Sequence, residues 1–225
     1  MKTLLLWDID GTLIDSGGAG LRALRTALRT VFAIGGSLDD IEFAGRTDRW
    51  IARRIFAKFD LPASEENFAR YFDGYLAALP GEVAHPRARV LPGVDALLDA
   101  AAARDDLVLG LLTGNLRRGA EVKLGFHGLW RHFPFGAFAD DSEQRDELGP
   151  HAVRRAREHA GGGFPPERIW VIGDTPLDIA CGRAAGARTL AVATGNFTVD
   201  QLAAHRPTAL LADFSDHAAF FRIVE

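Results

Sequence analysis

The 225-residue chain contains one cysteine, Cys181. A lone thiol cannot close an intrachain disulfide, which points to a reducing compartment. No staple is required, because a chain this long buries roughly 70% of its extended surface on folding. No apolar run approaches the roughly 18 residues of a membrane helix. The N-terminal MKTLLLW starts basic, but its apolar stretch stops at Asp8, too short for a signal peptide. A cytoplasmic protein with no membrane partner is expected. Excess positive charge is also absent. The formal net charge is -4, which argues against a broad nucleic-acid-binding face. The Arg-dense stretches RRIFAK and RRAR read as solvated helix faces. There is no internal repeat and no low-complexity tract.

What is present is a series of short, continuously apolar runs: TLLLWDI (3–9), LVLGLLT (107–113), RIWVIGD (168–174), TLAVAT (189–194) and ALLAD (209–213). Apolar residues at successive positions mark strands covered on both faces. Helical segments are expected near 116–124, 150–160, 176–186, 198–204 and 215–224, and a weaker strand near 133–139. Strands alternating with helices imply an α/β fold, a doubly wound parallel sheet of Rossmann-like type. Residues 17–88 break the rhythm. There Leu21, Leu24, Leu28 and Val31 fall on one helical face, and DRWIARRIFAKF and EENFARYFDGYLAAL repeat the pattern. An inserted helical cap over 17–88 is expected, with 1–16 and 89–225 forming the core. Gly17, Gly18 and Gly20 would lie at the first junction.

Ligands of open α/β sheets bind outside the carboxyl ends of the strands. Three predicted strands end in reactive polar residues: the first in Asp8 and Asp10, the second in Thr113-Gly114-Asn115, the third in Asp174 with Asp178 four residues on. Should these strands be neighbours, four carboxylates meet on one rim. Like charges raise one another's pKa, and burial adds to the cost. A hard divalent cation resolves the conflict. Mg²⁺ takes oxygen ligands, and commonly combines one or two carboxylates with a phosphate oxygen. Taken singly, Asp15, Asp39, Asp40 and Asp48 read as cap or turn residues, and GDTP as a helix start with Thr175 capping and Pro176 in the first turn.

The motifs DIDGTL (8–13), TGN (113–115) and GDTPLD (173–178) resemble motifs one, two and four of the haloacid dehalogenase superfamily, in the right order across essentially the whole chain. The helical insert resembles that superfamily's cap, and the chain resembles its phosphoglycolate phosphatase-like subgroup. The resemblance implies a Mg²⁺-dependent phosphatase acting on a small phosphorylated metabolite, as a monomer or homodimer. It makes Asp8 the nucleophile and Asp10 the general acid and base. The metal would be held by Asp8, the backbone carbonyl of Asp10, Asp174 and Asp178. Thr113, Gly114 and Asn115 would hold the phosphoryl oxygens at a helix N-terminus. An acid at position 10 favours phosphate esters over carbon–halogen chemistry.

The superfamily's third motif is normally a lysine, and no lysine follows Lys123. Arg145 is the expected substitute for phosphate binding, with Arg154 a weaker one. In GRTDRW, Arg46 is expected to bind an anionic or polar part of the substrate, and Thr47 or Asp48 to cap a helix. A phosphosugar mutase is the alternative on the same core, though Lys58 and His85 make weak second-phosphate groups. A phospho-accepting signalling module is the alternative from another class.

Overall fold

The computed structural model describes residues 2–225. β1 (Thr3–Trp7) opens the chain, followed by β2 (Ile14–Asp15), then α1 (Ala19–Phe32), α2 (Asp48–Lys58) and α3 (Glu65–Glu82). The chain returns through β3 (Arg89–Val90) and alternates α4 (Val94–Ala102), β4 (Leu107–Leu112), α5 (Arg117–Phe126), β5 (Gly136–Ala137), α6 (Leu148–Ala160) and β6 (Ile169–Gly173). It ends with α7 (Pro176–Ala184), β7 (Arg188–Val192), α8 (Val199–Ala204), β8 (Ala209–Leu211) and α9 (His217–Val224).

Six strands form one parallel sheet in the order β5-β4-β1-β6-β7-β8. The chain steps outward from β1 through β4 to β5, then crosses back to β6, β7 and β8 on the other side. That reversal opens a crevice at the carboxyl end of β1. The expected doubly wound α/β core with an inserted helical cap is the fold observed. Differences lie in two elements. The strand expected over 133–139 is two residues long, and α4 falls in a stretch where no helix was expected from the sequence.

β1 shows why its sequence is uniformly apolar. Leu5 and Trp7 pack on one face with Leu97 and Leu98 of α4, Leu124 of α5 and Phe220 of α9. Leu4 and Leu6 pack on the other with Leu148 and Ala152 of α6 and Cys181 of α7. Both faces are dry, so alternation would bury polar groups. Truncating one such leucine to alanine costs about 2–5 kcal/mol.

Helices α1–α3 gather around an apolar cluster of their own, including Leu24, Leu28, Ile55, Phe56, Phe68, Tyr71 and Tyr75. Thr47 caps α2 by accepting from the Trp50 amide, and Ser64 caps α3 by accepting from Asn67. The two-residue ribbon of β2 with β3 joins the segments into and out of these helices, Ile14 opposite Val90 and Asp15 opposite Arg89. Gly17 and Gly18 follow it with φ of 61° and 83°, a left-handed turn that glycine makes at least cost.

Candidate active site

Register brings the three strand ends together. Trp7 lies beside Leu111 of β4 and Ile172 of β6, and the Asp8 amide donates to the Ile172 carbonyl at 2.9 Å. Asp8, Thr113 and Asp174 therefore leave adjacent strands at one level, all buried. Each letter of DIDGT has a visible reason. Ile9 is core, and its carbonyl accepts from the Leu13 amide at 2.8 Å to close a tight turn. Gly11 has φ of 82°, and a Cβ there would strike the Asp174 carboxylate. Thr12 donates to Asp174 Oδ1 at 3.1 Å.

Oxygens of Asp8, Asp174 and Asp178 lie within 4.8 Å of one another. Burial pushes the Asp8 carboxyl up to about 6, against the pull of Arg145 and with a further push from Asp178. Burial, with Asp178 and Asp8 adding, lifts Asp174 well above the usual carboxylate range. At the rim itself five carboxylates (Asp8, Asp10, Asp48, Asp174, Asp178) share two buried cations, Lys123 and Arg145. A cleft also surrounds Asp174, where a Cβ on either Gly11 or Gly195 would collide with the carboxylate. An all-oxygen set with excess negative charge suits a hard divalent cation.

Arg145 sits in a 3₁₀ turn before α6, is 7% exposed, and reaches Asp8 at 3.1 Å as well as pairing with Asp178. Its Nη1 donates to the Gly45 carbonyl of the cap at 2.9 Å, and its buried Nε has no hydrogen-bond partner among the described residues. Arg154 pairs with Glu158 on the exposed face of α6 instead. Asp178 uses both oxygens, one for Arg145 and the other for the amide and hydroxyl of Thr175 in a capping box on α7. Thr175 and Pro176 thus start that helix as its sequence suggests.

The Asp10 side chain stands outside the three-carboxylate cluster. Lys123 Nζ donates to its Oδ2 at 2.6 Å and to Asn115 Oδ1 at 2.6 Å, while Asn115 Nδ2 donates to Asp10 Oδ2 at 3.0 Å and to Thr113 Oγ1 at 2.9 Å. Burial works to raise the Asp10 pKa, but the charge and hydrogen bond of Lys123 outweigh it and hold the group below its ordinary value. Lys123 had no assigned role in the sequence, because a lysine on an amphipathic helix looks like a solvated one. Three residues beyond Ala120 and one before Leu124, both core, it falls on the inward edge of α5.

Asp48 also departs from its reading as a simple cap. Thr47 is the cap residue, and the buried Asp48 carboxylate crosses to the core to accept from the Leu116 amide at 2.8 Å. Burial pushes it up to about 6. The first amide of α5, at Arg117, donates to Asp140 at 2.7 Å. Of the amides near the start of that helix, those of Leu116 and Arg117 are therefore already engaged by protein carboxylates. Thr113 hydrogen-bonds with Asp8, and Gly114 and Asn115 line the cavity. Arg46 lines it too, but its guanidinium is bound by Glu42 at 2.6 Å and lies over the Trp50 ring.

A parallel sheet whose reversal point gathers buried carboxylates beside a buried arginine is the frame of the phosphohydrolase class to which the comparisons assign this chain. The chain belongs to the haloacid dehalogenase-like hydrolase family, whose model matches residues 5–183. It is 28% identical over 222 residues to the "Probable phosphatase IndB" of Dickeya dadantii, covering 96% of this chain and 92% of that one. It is 26% identical over 220 residues to the phosphoglycolate phosphatase of Agrobacterium fabrum, at 96% and 90% coverage. Its fold is similar to that of CbbY from Rhodobacter sphaeroides, solved in complex with phosphate (TM-score 0.75, 18% identity, 96% of both chains). No helix among the described residues is long and apolar enough to cross a membrane.

Proposed function

We propose that this chain hydrolyses a small phosphomonoester through an aspartyl-phosphate on Asp8, with Mg²⁺ as cofactor. The observation that carries the reading is the buried Asp8 carboxylate, which shares one oxygen cluster with Asp174 and Asp178 and is flanked by Arg145 and Thr113. Asp8, Asp174 and the Asp10 carbonyl would hold the ion, with Asp178 completing the oxygen set while it anchors Arg145. When bound, Mg²⁺ offsets the repulsion between a carboxylate nucleophile and a phosphate dianion.

An Asp8 oxygen attacks phosphorus as the bond to the ester oxygen breaks. Arg145, 3.1 Å from Asp8, sets its positive charge beside the phosphoryl group as it is transferred. The substrate's negative charge draws a proton onto Asp10, against Lys123, and Asp10 gives it to the departing alkoxide. The Asp10 carboxylate then takes a proton from water, whose oxygen attacks phosphorus and releases Asp8 and phosphate. Water and ester are consumed, and alcohol and phosphate leave. Residues 17–88 act as a cap that excludes solvent, clasped to the core by Thr47 Oγ1 donating to the Glu143 carbonyl at 2.7 Å and the Asp48 amide donating to the Gly114 carbonyl at 2.7 Å. Arg46 lines the cavity from the cap side, where its pair with Glu42 leaves it a minor contact of the substrate.

The mutase alternative finds no support at Lys58 or His85. Lys58 pairs with Asp40 at the surface and His85 accepts from the Arg87 amide in a local turn, and neither lines the cavity. Phosphate release from a panel of phosphomonoesters, with Mg²⁺ and after chelation, tests the proposal. Turnover that chelator abolishes and Mg²⁺ restores is expected; no release from any ester would end it.

A further inference from the structure

The cavity between the rim and the cap has a volume of about 500 Å³, within the roughly 300–1,000 Å³ of pockets that enclose drug-sized ligands. A phosphoryl group with a two-carbon alcohol would leave much of it unfilled. Its cap-side wall carries an apolar patch beside Arg46 and Asp48, built from Leu21 and Leu24 of α1, Phe43 of the α1–α2 connection and Ile51 of α2. Leu21 and Phe43 are only half-buried, so they present surface to whatever enters.

Charge narrows the ligand further. Four cationic side chains line the cavity, and each has a carboxylate partner: Lys123 with Asp10, Arg145 with Asp8 and Asp178, Arg46 with Glu42, Arg89 with Asp15. Asp48 adds negative charge to the lining. A second anionic group on the substrate would need one of these pairs broken, and would otherwise lie desolvated against leucine and phenylalanine. An uncharged alcohol with an aromatic or alkyl face would instead cover that wall.

We propose that the substrate is a monoester of an uncharged alcohol whose apolar face packs on Leu21 and Phe43, with Leu24 and Ile51 backing them. This rests on the phosphatase reading of the site and specifies its substrate class. The test compares kcat/KM for benzyl phosphate and phosphoglycolate, both esters of primary alcohols, with 4-nitrophenyl phosphate as a general probe of phosphatase activity. Benzyl phosphate is expected to lead by at least tenfold. Phe43→Arg and, separately, Leu21→Lys place a cation on the wall and should each shrink that ratio at least fivefold by raising the rate with phosphoglycolate. Phosphoglycolate turned over as well as benzyl phosphate by the unaltered chain overturns the inference and leaves the phosphatase reading standing. A ratio unmoved in both folded variants overturns the placement of the alcohol on this wall. Failure of all three esters to release phosphate overturns this inference, and the phosphatase reading falls with it only when the wider panel of phosphomonoesters fails too.

Discussion

The sheet rim and the cap face each other across one cavity and use charge in different ways. On the rim, Asp8, Asp174, Asp178 and Arg145 are buried in one cluster, so the ionisation of Asp8 and of Asp174 depends on their charged neighbours. On the cap, Arg25 with Asp39, Arg49 with Glu65 and Lys58 with Asp40 lie at the surface, where water screens them. The cap turns its apolar side chains inward, whereas the rim turns its charges inward. Chemistry needs fields that water does not dilute, while a cap needs only to close and to recognise a shape. Two groups breach this division. Asp48 belongs to the cap but is buried in the core, and Arg145 belongs to the core but holds the cap's Gly45 carbonyl.

Substitutions can break this comparison, and the largest effect is expected at Asp8. Asp8→Asn keeps the volume but removes the nucleophile, and should lower kcat by at least about 10⁴-fold with the circular dichroism spectrum unchanged. A variant retaining a tenth of the rate would mean that the rim does not act covalently. Arg145→Met should cost about 10²–10³ in kcat, as the loss of a preorganised donor to developing charge does. Arg145→Lys should restore part of it, measured in the same assay. Lys123→Met should lower kcat about tenfold or more by leaving the Asp10 carboxylate unheld, with a smaller change in KM. Unaltered turnover would make Lys123 a packing residue only.

Asp48 tests the breach itself. Its folded-state pKa of about 6 lies above the unfolded value, so the folded chain binds the proton more tightly. Between about pH 4 and pH 6 its contribution therefore makes stability fall as pH rises. In Asp48→Asn that component is missing, and the stability difference from the unaltered chain should change by roughly 2 kcal/mol across the window. Urea melts at pH 4 and pH 7 measure it, and parallel curves would show the carboxylate to be no more strained than a surface one. The smallest effect is expected at Arg46, where the pair with Glu42 is half-exposed. Arg46→Ala should shift stability by no more than about 1 kcal/mol. A large rise in KM for a neutral ester would instead make Arg46 a principal substrate contact.

Most of the rim was legible because strand ends are marked twice, by the apolar run and by the polar residues that stop it. Asp8, Thr113 and Asp174 could be read from that pattern, and Arg145 from the gap left by a missing lysine. Lys123 and Asp48 could not. Each reaches its partner across a long stretch of chain, Lys123 to Asp10 and Asp48 to the Leu116 amide, and nothing local distinguishes such a residue from a solvated one. The helix α4 was hidden for a simpler reason, since its VDALLDAAA follows directly on the Pro-Gly of the returning segment.

By itself the sequence determined the alternation of buried strands and helices, the helical insert, and the acids standing at the ends of β1 and β6, because periodicity and strand termination are local properties. Which carboxylates share one volume, which cation each faces and whether a charge meets water were decided only by the tertiary structure. Electrostatic energy depends on distance and burial, and neither is set until the strands are side by side and the cap lies over them.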